Sequence, residues 1–188
     1  RRMAGKRAKY ADASALRELD AEGALLTRCK HPHLLPLLGY CRSLEAPCLL
    51  FPLMEGGSLE HRLFLSDEHV QSICRLGHFT SAPKPLTWRQ RLRIVAQAPE
   101  ALVYLHGREV THRDFKPANI LLDESLHAYL SDTGFAKAAQ EQGAAGATTK
   151  RGEFAFTPGY GDPASLKYGV SPSTDGYAVG ISLLVCLT

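Results

Sequence analysis

The sequence has no long hydrophobic run, no apolar stretch directly behind its basic first residues and no large excess of one charge. Its 22 lysine and arginine residues nearly balance 19 aspartate and glutamate residues, for a net charge of +3. This balance argues against a broad basic surface that holds nucleic acid through its phosphates. The late apolar run at 178–187 is far shorter than the roughly 20 residues that cross a bilayer. We therefore predict no nucleic-acid partner and no membrane segment in this chain, and expect the run to form a buried helix.

Cysteines are few and unpaired in the sequence. There are five, with no Cys-x-x-Cys motif, which favours reduced thiols in a cytoplasmic protein over a disulfide framework or a zinc site. The 188 residues are 45% hydrophobic, enough for one core, so we expect one domain or a large part of one.

The hydrophobic pattern predicts a mixed α+β chain. Helices are expected from Asp12 or Ser14 to near Lys30, from Ser58 to residue 63, from Thr87 to His106 and from about Ser173 onward. Strands are expected at 34–38, 48–54, 110–111, 120–122 and 128–130, and 66–85 reads as a loop or insertion. The long helix opens with a Thr87 to Gln90 capping box, and its predicted buried side includes Leu92 and Val95.

A dense group of polar residues follows the long helix. The sequence HRDFKPAN at 112–119 places Asp114, Lys116 and Asn119 just before a strand, and DTG follows at 132–134. Carboxylate and amide oxygens are the ligands that magnesium prefers, which suits Asp132 and Asn119. Asp114 can then orient an acceptor hydroxyl and take its proton, while Lys116 neutralises charge on a phosphoryl group. This combination points to phosphoryl transfer.

These motifs resemble the H-R-D-x-x-x-x-N and D-F-G motifs of protein kinases, and the resemblance extends over nearly the whole chain. It implies a bilobal fold that is incomplete at both ends. Residues 1–54 would form the N-lobe from its third strand to the hinge, and 55–188 would form a mainly helical C-lobe through its central helix. Residues 132–163 would be the activation segment. With only five residues before Lys6, we expect this piece to bind ATP weakly and to be inactive.

The same resemblance assigns a nucleotide site. MAGK at 3–6 is similar to the strand with the ATP-binding lysine, although Arg7 and Lys9 are neighbouring candidates, and Glu22 takes the place of the lysine's partner. A surface position for Glu22 is the alternative reading. LLFPLMEGGSL at 49–59 looks like the hinge of plant receptor-like and Pelle-type kinases, as do HPHL at 31–34 and LGYC at 38–41. The expected nucleotide-binding set is Lys6, Glu22, Phe51 as gatekeeper, Pro52, Leu53 and Met54 of the hinge, Leu121 and Asp132. The implied cofactors are ATP and Mg²⁺.

The C-terminal part resembles the remaining kinase landmarks. TPGYGDP at 157–163 is similar to a substrate-docking loop, and TDGY at 174–177 to the start of the central helix, whose Asp braces the catalytic loop. Lys116 and Thr157 suggest a protein substrate with Ser or Thr. Arg113 beside Asp114 implies control by phosphorylation of the activation segment. The predicted regulatory residues are Arg113, Thr148, Thr149 and Thr157.

Two positions depart from the kinase pattern. Thr133 replaces the usual Phe after the metal-binding Asp, and Ala164 replaces a usual Glu. The leading interpretation is an ATP-dependent Ser/Thr protein kinase in the cytoplasm, or on the cytoplasmic side of the plasma membrane if the parent protein is a receptor. A pseudokinase scaffold is the first alternative. A small-molecule phosphotransferase is the second, and the docking loop argues against it.

Overall fold

The computed structural model describes residues 2–7, 13–42, 47–77, 81–138 and 157–188. Within these ranges the chain forms short antiparallel sheets and helices, which confirms the predicted α+β class. The strands are β1 Met3–Arg7, β2 Gly39–Cys41, β3 Cys48–Pro52, β4 Gly57–Ser58, β5 Val110–Thr111, β6 Ile120–Leu122, β7 Ala128–Leu130 and β8 Lys137–Ala138. The helices are α1 Ala13–Arg28, α2 Leu59–Leu63, α3 Asp67–Gly77, α4 Trp88–His106, α5 Ser165–Tyr168 and α6 Pro172–Leu187. Single 3-10 turns lie at Pro117–Asn119 and Thr133–Phe135.

The first sheet has the order β1-β3-β2, with antiparallel neighbours. Helix α1 packs on it, and the contact is close at Gly23, where an added Cβ would lie 3.3 Å from Leu49 Cδ2. Leu49 itself is completely buried. The small residue thus lets α1 approach the sheet and brings the preceding residue of the helix, Glu22, over its inner face.

The strand predicted at 34–38 is wrong. The strand of that region is β2 and begins only at Gly39. Leu34 instead forms an isolated bridge with Leu130, and Leu35 donates its backbone N–H to the Leu130 carbonyl at 2.9 Å. Both leucines are almost fully buried, and Pro36 has no N–H to continue a ladder. Core packing against β7 therefore outweighs the local strand preference.

A second sheet, of order β4-β6-β7, and a β5-β8 pair support the polar segment at 112–119. The strands predicted at 110–111, 120–122 and 128–130 are confirmed at the same bounds. Residues 112–119 connect β5 to β6, and Asp132 follows β7 after one residue. The strand ends therefore bring the two motifs of the sequence to one side of the fold.

Helix α4 has the predicted bounds and the predicted capping box. Gln90 N donates to Thr87 Oγ1, and Thr87 N donates to the Gln90 side chain. Leu92 is not on the buried side, since it is 52% exposed. At 3.6 residues per turn it lies about 120° around the helix from Ala98, which is completely buried. The buried residues are Ile94, Val95, Ala98, Ala101, Leu102 and Leu105.

Helix α3 corrects the prediction that 66–85 is a loop. Ser66 Oγ accepts a hydrogen bond from the His69 backbone nitrogen at 3.3 Å, which stabilises the N-terminus of the helix. Val70, Ile73 and Leu76 recur at a spacing of three, and Ile73 is completely buried. That spacing was the available sequence signal, but it spans only two turns.

Helix α6 begins close to its predicted start, with a proline in its first turn. The expectation that 178–187 is a buried helix holds for one face only. Ala178, Ser182 and Cys186 are buried, whereas Leu183, Leu184 and Leu187 are exposed. Among the described residues, no helix is long and apolar enough to cross a membrane.

Candidate active site

A cleft of about 450 Å³ lies between the first sheet and the β4-β6-β7 sheet. Every residue of the predicted nucleotide set lines it, and Asn119 does so too. The predicted residues that line the cleft are Lys6, Glu22, Phe51, Pro52, Leu53, Met54, Asn119, Leu121 and Asp132. Residues that are more than 100 positions apart in the sequence thus share one cavity.

Lys6 joins two carboxylates at the inner end of the cleft. Its Nζ lies 2.7 Å from Glu22 Oε2 and 2.6 Å from Asp132 Oδ1. The Glu22 side chain is only 3% exposed, so the surface reading of Glu22 is wrong. Successive side chains of a strand point to opposite faces, and Arg7 is exposed. Of the two, Lys6 is the residue that lines the cleft, while Lys9 lies outside the described residues.

The protonation of these three groups is coupled. Burial alone lowers the pKa of Lys6, but the charge of Glu22 and the hydrogen bond to Asp132 raise it above its ordinary value. Burial raises the pKa of Glu22, and the negative charge of Asp132 adds to this effect, so Lys6 and the backbone N–H of Thr133 offset only part of the rise. For Asp132, the opposing effect of burial is outweighed by Lys6, which lowers the pKa. Asp132 therefore remains an anion at neutral pH.

Asp114 is the centre of a second polar network. Its Oδ1 accepts hydrogen bonds from Thr157 Oγ1 at 2.6 Å and from Lys116 Nζ at 3.0 Å. Its Oδ2 accepts from Asn119 Nδ2 at 2.8 Å. Lys116 Nζ also donates to Thr157 Oγ1 at 2.6 Å. The carboxylate is 8% exposed, so these partners offset the cost of burying its charge.

Asn119 connects this network to the large cleft. Asp114 does not line that cleft and instead borders a small neighbouring cavity with Arg113 and Thr157. Ser131 donates its backbone N–H and its hydroxyl to the Asn119 carbonyl, both at 2.9 Å. The residue next to Ser131 is Asp132, so Asn119 and Asp132 are held as neighbours.

His112 has a structural role beside the cleft. It is completely buried, its Nε2 lies 3.1 Å from the Ser131 carbonyl, and its Nδ1 accepts the Asp114 backbone N–H at 3.3 Å. The ring thereby ties the segment that carries Asp114 to the segment that carries Asp132. It fixes the position of both carboxylates without contacting the cleft itself.

The turn after β7 is shaped for the cleft. Asp132 has a positive φ of 60°, a backbone conformation that most residues avoid. At Gly134 an added Cβ would lie 3.4 Å from both Glu22 Oε2 and Lys6 Nζ, so this turn is in direct contact with the ion pairs. Thr133 lies between Asp132 and Gly134 and donates its backbone N–H to Glu22. Its side chain is 2% exposed, and within the described residues its Oγ1 has no hydrogen-bond partner.

The oxygen donors of the site suit a hard cation. Asn119 uses its amide nitrogen for hydrogen bonds to Asp114, so its amide oxygen is the atom that a cation would bind. In the described part of the chain, no three His, Cys, Asp or Glu residues form a metal cluster. One carboxylate and one amide fit Mg²⁺, which is usually bound by one or two protein ligands together with phosphates and water.

Two predicted regulatory residues, Thr148 and Thr149, lie outside the described residues. Some residues that line the cleft were not predicted from the sequence, namely Ala4, Leu35, His61 and Leu76. Ala4 had a signal in its alternation with Lys6 along β1. The other three reach the cleft through tertiary packing, for which the sequence offers no local pattern.

The model of the protein kinase domain family matches residues 1–188. The probable L-type lectin-domain containing receptor kinase V.3 of Arabidopsis thaliana is 36% identical over 187 residues, 97% of this chain and 26% of that protein. The nodulation receptor kinase of Pisum sativum is 38% identical over 172 residues, 89% and 17% of the respective chains. U-box domain-containing protein 70 of Oryza sativa subsp. japonica is 36% identical over 176 residues, which are 91% of this chain and 20% of that protein. The chain thus spans about a quarter or less of the length of these relatives.

Proposed function

Because the chain belongs to the protein kinase domain family and is similar to plant receptor kinases, we propose that the protein is an ATP-dependent serine/threonine kinase. It transfers the γ-phosphate of ATP to a hydroxyl of a protein substrate. The observation that best supports this is the contact of Asp114, Lys116 and Thr157 beside the cleft. In this proposal residues 1–54 and 55–188 are the two lobes, and 132–163 is the activation segment.

The cleft accounts for nucleotide binding. Lys6, held by Glu22, binds the phosphates of ATP, and the pairing keeps the ammonium in place before the nucleotide arrives. Phe51 and Leu121 contribute apolar surface for the base, and the backbone of 52–54 forms the hinge that hydrogen-bonds its edge. A cleft of about 450 Å³ is within the size range of ligand pockets.

Magnesium fits the oxygen donors of Asn119 and Asp132, and when bound it would neutralise charge on the phosphates. The lowered pKa of Asp132 keeps this carboxylate ionised, as a cation ligand requires. Lys6 also contacts Asp132 Oδ1 at 2.6 Å, so the chain places one positive charge at this carboxylate already.

The acceptor hydroxyl is oriented by Asp114. Thr157 Oγ1 lies 2.6 Å from both Asp114 Oδ1 and Lys116 Nζ, so an aliphatic alcohol fits between these two groups. This favours serine or threonine over tyrosine as the acceptor. Asp114 takes the proton of the attacking hydroxyl, and Lys116 stabilises the negative charge of the phosphoryl group.

Regulation by phosphorylation is part of the proposal. Arg113 borders a small cavity with Thr157, Tyr160 and Asp162, and a guanidinium there suits a phosphate on the activation segment. Thr148 and Thr149 are the proposed acceptors, and Thr157 is a third candidate. Since two of the similar proteins are named receptor kinases, we place the protein in the cytoplasm or at the cytoplasmic face of the plasma membrane.

A pseudokinase scaffold is the second candidate, and Thr133 favours it. Its buried hydroxyl has no partner among the described residues, directly beside Asp132. Such a group costs stability at the point where the metal ligand must be held. A protein selected only for partner binding would tolerate this cost.

Phosphate transfer by the full-length protein separates the two candidates. We would incubate it with Mg·ATP and a mixed serine, threonine and tyrosine peptide library, and compare Asp114→Asn with the exposed control Glu124→Gln. We expect transfer to serine and threonine, at least about a 100-fold loss for Asp114→Asn and no loss for Glu124→Gln. Nucleotide binding without any transfer would establish the scaffold instead, and full activity of Asp114→Asn would refute the assigned base.

A further inference from the structure

Helix α3 reaches the mouth of the candidate nucleotide cleft. Its buried residue Ile73 packs near Gly57, where an added Cβ would lie 3.1 Å from the isoleucine side chain. Leu76, one turn later, lines the cleft together with Leu53. The helix therefore supplies an apolar wall to the cleft that none of the kinase-like motifs predicts.

Arg2 ties this wall to the segment that follows β3. Its Nη1 donates to the Leu76 carbonyl at 3.0 Å, and its Nη2 lies 2.5 Å from Glu55 Oε1. Its backbone carbonyl accepts the Leu53 N–H at 3.2 Å. One residue beside β1 thus contacts the segment after β3 twice and the C-terminal end of α3 once.

The chemistry of these contacts is specific to arginine. The last carbonyls of a helix have no intrahelical partner, and a cation near them is favourable. A guanidinium has donors on separate nitrogens in a rigid plane, so it can hold the Leu76 carbonyl and the Glu55 carboxylate together. The Arg2 and Glu55 side chains are 41% and 26% exposed, so the ion pair by itself contributes little to stability. Its effect lies in where it holds α3.

We propose that Arg2 is a positioning residue for nucleotide binding, which sets the distance of Leu76 from the segment 53–55 across the mouth of the cleft. The inference rests on the proposed function, because it takes an adenine nucleotide as the ligand. Leu76 contacts the bound nucleotide, and Arg2 acts only through Leu76 and α3.

Calorimetry on the full-length protein tests this with Mg·ADP as the probe. The variants are Arg2→Ala, Arg2→Lys, Glu55→Gln, Leu76→Ala and the double variant Arg2→Ala/Leu76→Ala. Arg93→Ala is the matched control, since Arg93 is exposed and bonds only weakly to the Ser125 carbonyl at 3.4 Å. We expect Arg2→Ala and Leu76→Ala each to raise the Kd about five-fold, the factor for about 1 kcal/mol. Arg2→Lys, which keeps the charge but cannot bridge, should weaken binding as well.

The double variant distinguishes positioning from general electrostatics. If Arg2 acts only through Leu76, the Kd of the double variant equals the Kd of the single variant that binds Mg·ADP more weakly. It does not rise by the product of the two single-variant factors. Multiplicative effects, or an unchanged Kd for both Arg2→Ala and Arg2→Lys, overturn the inference while leaving nucleotide binding intact. If the unmodified protein binds no Mg·ADP, the nucleotide part of the proposed function fails. Should Arg2→Ala not fold, Arg2→Lys and Glu55→Gln carry the same comparison.

Discussion

Asp175 Oδ1 accepts a hydrogen bond from the backbone nitrogen of Arg113 at 2.8 Å, across 62 residues of sequence. Its Oδ2 accepts the backbone N–H of His112 at 2.9 Å and lies 2.7 Å from His106 Nε2. Arg113 has a positive φ of 74°, which is unfavourable for a residue with a side chain. A carboxylate of α6 with 1% exposure thus holds the backbone just before Asp114 in a strained conformation.

The first prediction concerns this buried carboxylate. Asp175→Asn keeps the shape but replaces one acceptor oxygen with a donor that faces the N–H groups. We expect the free energy of unfolding to fall by about 3 kcal/mol, in line with the loss of one partner from a buried charged contact. Urea denaturation of the chain measures this, with the exposed Asp20→Asn as control. A loss equal to that of the control would show that Asp175 does not hold the loop.

Thr133→Val is expected to stabilise the protein. The Thr133 Oγ1 is buried and has no partner among the described residues, and valine has nearly the same shape without a polar group. Removal of such a hydroxyl should raise the free energy of unfolding by about 1 kcal/mol.

Thr174→Val is the matched comparison for that change. Thr174 is also buried, but its Oγ1 donates to the Ser171 carbonyl at 2.7 Å. The same substitution at Thr174 should therefore lower the free energy of unfolding by about 1 kcal/mol. Thermal and urea unfolding of both variants should show opposite signs, and a loss of stability in both would mean that Thr133 Oγ1 has a partner in solution.

Ile73→Ala tests whether α3 belongs to the core. The side chain is completely buried, so its truncation leaves a cavity and should cost about 3 kcal/mol. Gln71→Ala on the exposed side of the same helix should change the free energy of unfolding by less than about 0.5 kcal/mol. Equal small effects at both positions would mean that this stretch behaves as a loop.

Cys186 should resist alkylation at ordinary pH. Burial raises the pKa of its thiol to about 11, and the residue is 2% exposed. The reactive thiolate forms only as the pH rises through that value. Mass spectrometry after iodoacetamide treatment at pH 8 should find Cys41, which is exposed, modified well before Cys186. Equal labelling of the folded chain would contradict the buried placement.

Local sequence predicts those parts of the fold that local forces decide. The capping box of Thr87 and Gln90 needs only residues three positions apart, and the strands at 120–122 and 128–130 are short apolar runs beside polar turns. The order of Asp114, Lys116 and Asn119 along the chain likewise indicates phosphoryl-transfer chemistry, because three functional groups within six residues must share one loop.

Tertiary structure decided what depends on distant partners. Whether Glu22 faced solvent or a lysine depended on how closely α1 packs on β3, which Gly23 permits. The strand begins at Gly39 and not at Leu34 because Leu34 and Leu35 pack in a buried position against β7. Helix α3 forms a wall of the cleft because Ile73 is buried and Arg2 binds the C-terminal end of the helix. These arrangements are stabilised by burial and charge pairing between residues far apart in sequence, which a local sequence pattern does not determine.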